Sequence, residues 1–120
     1  MIVAQAVAVA LLAATPSAPP SQSGGPSYQV LGAGAVSCAE WNDFKRQDDP
    51  ARYGAMDWIL GYVSAFNNYH FHDGDVSQGI SVDRMLSWID QYCDQHPADS
   101  LVKATTSLLG ALCHCDGSAH

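Results

Sequence analysis

The stretch Ser81-Val82-Asp83-Arg84-Met85-Leu86-Ser87-Trp88-Ile89-Asp90-Gln91-Tyr92-Cys93 decides the fold. Val82, Met85, Leu86, Ile89 and Cys93 recur at the spacing of one helical face, while Asp83, Arg84, Ser87, Asp90 and Asp94 fall elsewhere. Ser81 stands at the N-cap, where a hydroxyl accepts a hydrogen bond from a free backbone N–H. His96-Pro97 ends the helix, because the residue before a proline is pushed out of the helical region.

Downstream, a helix from about Ala98 to Leu112 places Leu101, Thr105, Leu108, Leu109 and Leu112 on one stripe. Upstream, residues 68–79 show no sustained period and read as a polar loop. Before it, Asp49-Pro50 reads as N-cap followed by N1, where the missing proline N–H is not needed. The helix that follows, to about Asn68, carries Tyr53, Met56, Trp58, Ile59, Leu60, Tyr62, Val63 and Phe66 on more than one face, which predicts a buried central helix. Gly54 and Gly61 inside it each cost about 1 kcal/mol in helix propensity relative to Ala, and close approach of another helix is the expected compensation.

Ser37-Cys38-Ala39-Glu40 matches the capping box S-x-x-E and predicts a short first helix from Cys38 to about Arg46. Its Cys38, Trp41 and Phe44 share one side. Cys38 and Cys93 thus both lie on core-facing stripes, and their pairing would tie the first helix to the end of the third; two separate buried thiols are the alternative. Closing that loop would stabilise the domain by about 4 kcal/mol in the chain-entropy account. The expectation is an all-α, four-helix domain stapled by one long-range disulfide.

The chain has 120 residues, 48% of them apolar, with 5 Lys+Arg against 12 Asp+Glu and a formal charge of -7. One compact domain fits this length, and a large enzyme does not. The acidic balance argues against nucleic acid and against an anionic membrane surface as partners. Every charged residue lies at or after Glu40, and residues 1–14 are uncharged and almost wholly apolar. That run is shorter than the roughly 20 residues a membrane span needs, and suits the apolar region of a secretory signal. From Thr15 to Gly25, Pro, Ser and Gly dominate, as in a linker. The division is therefore a signal-like segment and linker (1–27), a helical domain (28–112) and a tail (113–120). Four cysteines in so short a chain agree with export to an oxidising compartment, periplasmic or extracellular.

Ser37-Cys38-Ala39-Glu40-Trp41, then Gly61-Tyr62-Val63-Ser64-Ala65-Phe66-Asn67-Asn68, then the helix ending in Cys93, a polar break and a final helix, resemble the HdeA/HdeB group of periplasmic acid-stress chaperones. The resemblance implies one all-helical domain with a single inter-helix disulfide and an amphipathic surface that holds unfolding clients at low pH. The Gly61-Tyr62 pair, Gly79-Ile80-Ser81, the His96-Pro97 break and Cys113 with Cys115 are also similar to the Tai-type immunity proteins, which block secreted amidases. Those carry a Cys just before the Gly-Tyr pair, where this chain has Ile59-Leu60.

No catalytic set is evident, and no enzyme or cofactor is expected. Gly32-Ala33-Gly34-Ala35 lacks the third glycine of a dinucleotide fingerprint and reads as a flexible lead-in to the first cap. His70, His72, Asp73 and Asp75 form the most chemically loaded loop, with two histidines that could titrate between pH 5 and 8 or ligate a metal. Read as a calcium loop from Asp73, the segment has Gln78 and Arg84 where Gly and Glu belong, so that reading fails. Cys113 and Cys115 are further metal-ligand candidates, though their C-x-C spacing is tighter than zinc pairs use. Trp41, Trp58, Tyr62 and Trp88 are the expected contacts for a protein client or partner, with a homodimer left open. Three functions follow: an acid-stress binding protein, an inhibitor whose 68–79 loop plugs a partner, and a metal-binding protein.

Overall fold

The computed structural model describes residues 28–71 and 74–114. A 3-10 turn, Gly32–Ala35, precedes four α-helices: α1 Cys38–Arg46, α2 Ala51–Tyr69, α3 Val82–Gln95 and α4 Leu101–Cys113. Among the described residues no strand forms, and the one β-type pairing sets Ser37 opposite Ser100. The domain is all-α, as the periodicities require. The expected signal-like segment and linker lie outside the described residues.

Each helix starts at a polar cap. The Ser37 hydroxyl accepts from the Glu40 N–H at 3.1 Å while the Glu40 carboxylate accepts from the Ser37 N–H at 2.9 Å, completing the capping box. Asp49 accepts from the Ala51 N–H at 2.9 Å, and Pro50 already has helical angles (φ -56°, ψ -23°), so the proline occupies the first turn without costing a bond. Ser81 accepts from the Arg84 N–H at 3.3 Å.

The start of α4 departs from expectation, at Leu101 and not Ala98. Residues 97–99 are engaged elsewhere: the Cys38 N–H donates to the Asp99 carbonyl (2.8 Å) and the Ala39 N–H to the Pro97 carbonyl (3.0 Å). Ser100 then supplies the cap, accepting from the Lys103 N–H. At its other end α4 runs through Cys113, one residue into the expected tail. It closes at His114, whose left-handed φ of 59° lets its N–H reach the Gly110 carbonyl.

The main core joins Cys38, Trp41, Ile59, Ile89, Leu101 and Leu108, all at most 1% exposed. The Cys38–Cys93 disulfide crosses it, closing a sequence separation of 55 residues with Cα atoms 4.7 Å apart. Around it, the Leu101 N–H donates to the Val36 carbonyl at 2.7 Å and the Asn42 amide donates to the Cys93 carbonyl at 3.2 Å. The starts of α1 and α4 and the end of α3 are thus knit at one corner. A smaller cluster of Val63, Val76 and Leu109 fills the opposite end, with Phe66 and Phe71 against it.

Two glycine readings are overturned. Among the described residues a Cβ built on Gly54 or Gly61 would meet nothing within 4 Å, so none of the four helices approaches closely there. The close approach is at Gly34, where a Cβ would lie 2.1 Å from the Trp58 ring. Gly32–Ala35 is therefore a packed turn and not a flexible lead-in, and the Trp58 indole fastens it by donating to the Leu31 carbonyl at 2.8 Å. Nor is α2 surrounded on all sides. Only Ala55, Ile59 and Val63, four residues apart along one face, are fully buried, and Tyr53 stands 64% exposed.

Candidate functional site

The outer edge of α3 and the last turns of α4 leave a groove between them. Met85, Leu108 and Leu112 contribute apolar lining, Ile80 and Trp88 join them, and Arg84 supplies a cation. Ser87 and Gln91 complete a space of about 470 Å³, within the range of small-molecule sites. Trp88 is held by stacking on Tyr92, with ring centroids 5.6 Å apart and planes 16° from parallel. Tyr92 is itself fixed because its hydroxyl donates to Asp99 at 2.6 Å. Burial, and then that bond, push the Tyr92 phenol above its ordinary pKa.

The cations are distributed unequally. Lys45 pairs with Asp90 at 2.8 Å and Arg46 with Asp43. Arg52 lies over the Trp41 ring, 5.8 Å from its centroid. Among the described residues Arg52, Arg84 and Lys103 make no ion pair, although acidic groups outnumber basic ones more than two to one, and of these three Arg84 alone lines the groove.

A second aromatic surface runs along α2. The rings of Trp58 and Tyr62 pack at a tilt 5.2 Å apart and those of Phe66 and His70 likewise at 5.7 Å, each pair four residues apart on one face. Tyr62, Ala65, Phe66, Tyr69 and His70 line a depression of about 230 Å³ near the helix end. Burial and a hydrogen bond with Tyr28 push the Tyr62 phenol upward in pKa.

Two carboxylates act as latches. At the disulfide corner, Glu40 takes the Ser37 backbone N–H and hydroxyl, and these bonds hold its carboxyl below the usual carboxylate range. Between α2 and α3, Asp75 accepts from the Ser77 hydroxyl (2.8 Å) and N–H (3.0 Å) and from the Asn67 amide (3.3 Å). These bonds, the Ser77 hydroxyl's first, lower its pKa likewise. The Asn67 side-chain oxygen in turn accepts from the Val76 N–H at 2.8 Å. The segment from Asp75 to Ser77 is thereby tied to α2, and Val76 is driven fully into the smaller core.

The four aromatic residues expected to bind a partner do not form one surface. Trp41 is wholly buried, its indole donating to Asp90 at 2.9 Å, and offers nothing to a partner in the folded state. Trp58 and Tyr62 are half-buried on α2, whereas Trp88 lines the α3–α4 groove. Of the loop candidates, His70 is exposed at the end of α2 and Asp75 is exposed in its latch, while His72 and Asp73 lie outside the described residues. Cys113 is half-buried and disulfide-bonded, so its sulfur is not a metal-binding thiolate in this state, and Cys115 lies outside the described residues. Among the described residues no group of three or more His, Cys, Asp or Glu side chains is placed to hold a metal, and no helix is long and apolar enough to cross a membrane.

Residues that sequence reasoning passed over carry much of the geometry. Arg84 and Asp90 read only as polar positions on the amphipathic third helix and Asn67 only as part of the stretch 61–68, and nothing in the linear pattern marks the first as groove lining or the others as tethers. Comparison with known proteins adds nothing to this geometry: no family model matches the chain, and no curated protein or solved structure is significantly similar to it.

Proposed function

We propose that this chain is an exported binding protein, not an enzyme, that captures unfolding client proteins at low pH in the manner of the HdeA/HdeB chaperones. The observation that carries this reading is a pair of hydrogen-bonded carboxylates, Glu40 on the Ser37 N–H and hydroxyl and Asp75 on Ser77 and Asn67, whose bonds protonation weakens. Protonation also swings the net charge from -7 to about +10, left by 5 Lys+Arg and 5 His. Self-repulsion then loosens the packing that hides Trp41 and half-covers Trp58, Tyr62 and Trp88, and the newly exposed apolar surface binds clients. A disulfide suits the oxidising compartment that this role requires. The test is aggregation of an acid-sensitive client at pH 2 to 3. Suppression at a few-fold molar excess is expected, and unchanged aggregation rules the reading out.

A second reading, an inhibitor of a secreted enzyme, is favoured by the built turn at residues 74–80. Its Gln78 and Gly79 adopt left-handed φ of 50° and 86°, and Ile80 is 41% exposed, so the turn presents a preformed exposed shape of the kind that plugs a cleft. Pull-down with the products of neighbouring genes at pH 7 separates the two readings, since only an inhibitor binds a specific enzyme there.

A further inference from the structure

We propose that the α3–α4 groove is a binding site for a small aliphatic monocarboxylate, with the acyl chain on Ile80, Trp88 and Leu112, over a floor of the buried Met85 and Leu108, and the carboxylate on Arg84. Three observations converge. The groove has a volume that suits a short-chain amphiphile and apolar walls from both helices. Among the described residues Arg84 is its only charged lining residue, and this cation has no ion-pair partner there. A guanidinium presents a planar fork that matches a carboxylate with two parallel hydrogen bonds, which a neutral or cationic head group cannot form. Trp88, stacked on Tyr92, stiffens one side, so the site is largely formed before the ligand arrives.

Charge complementarity selects this occupant over others. Arg84 stands beside apolar surface with Ser87 and Gln91 as polar neighbours, an arrangement that accepts one anionic head and one apolar tail. The inference does not depend on acid activation, and it is tested at pH 7.5, where the carboxylate latches are closed.

The oxidised protein is titrated calorimetrically with octanoate, 1-octanol and octylammonium. Saturable one-to-one binding of octanoate is expected, about tenfold tighter than octanol, the effect of one charge-assisted hydrogen-bonded pair. Octylammonium should bind more weakly still. Arg84→Gln should reduce octanoate affinity to that of octanol and leave octanol affinity unchanged. Ser87→Trp, at the exposed rim, should weaken both ligands by crowding the groove. Equal affinities for the three head groups, unaltered octanoate binding by R84Q, or no saturable binding at all would overturn the proposal. Circular dichroism of both variants, whose substituted residues are exposed, separates loss of the site from loss of the fold.

Discussion

At the scale of single residues, Gly34 and Glu40 show how one side chain, or its absence, sets local order. Gly34 lies under the Trp58 ring, and the rigid indole has no flexible end with which to yield to a Cβ. Gly34→Ala should therefore destabilise the domain by about 1–3 kcal/mol, the usual cost of overpacking, with a change in tryptophan fluorescence. A urea midpoint equal to that of wild type would show that the turn moves freely. For Glu40, a folded-state pKa below the unfolded one means that its contribution is complete above the ordinary carboxylate range and is lost as the pH falls through the lowered folded value. Glu40→Gln keeps a side chain able to serve a capping box and removes the titration. Its stability should accordingly fall less between pH 5 and pH 2 than that of wild type, measured by urea unfolding at each pH. The capping box was legible because it is strictly local, two side chains three residues apart. The Gly34–Trp58 contact was not, because it joins positions that only the folded chain brings together.

At the scale of elements, the helices were legible because each repeats its apolar spacing and carries its own cap, as Ser37, Asp49 and Ser81 show. The start of α4 was misplaced because residues 97–99 give their carbonyls to α1, a long-range demand that local pattern does not encode. The same limit explains α2. Its apolar residues suggested burial on several sides, yet Gly54 and Gly61 meet nothing among the described residues, which leave their propensity cost uncompensated. Gly54→Ala and Gly61→Ala should each stabilise α2 by about 0.5–1 kcal/mol, seen as higher thermal midpoints. A loss of stability at either site would mean that something packs against it in solution. The loop before α3 makes the opposite case: it reads as polar and irregular, but Asn67 ties down the N–H of the buried Val76. Asn67→Ala leaves that donor unpaired and should cost about 1–3 kcal/mol, with faster hydrogen exchange at Val76.

At the scale of the whole molecule, the disulfide and the charge act in opposite directions. The Cys38–Cys93 bond restricts the unfolded chain and is worth about 4 kcal/mol if the entropic account holds, a large share of the stability of so small a domain. The charge, about +10 once the carboxylates are neutral, favours expansion. With the disulfide intact, acid should yield a partly opened state and not a fully extended chain, because α1, the end of α3 and the start of α4 stay joined at one corner. Dye binding to exposed apolar surface should rise sharply between pH 4 and pH 2 in the oxidised protein while much far-ultraviolet helix signal persists. Reduction under the same conditions should abolish that helix signal as well. Added salt at pH 2 should reverse the opening in the oxidised protein, because at about 1 M ionic strength the Debye length shrinks to about 3 Å and the like charges no longer repel across the domain. If salt leaves dye binding unchanged, repulsion is not the driving term. Release of the Glu40 and Asp75 latches would then have to account for the opening alone, and the double variant Glu40→Gln with Asp75→Asn, whose neutral side chains do not titrate, would be expected to show little change in dye binding between pH 4 and pH 2.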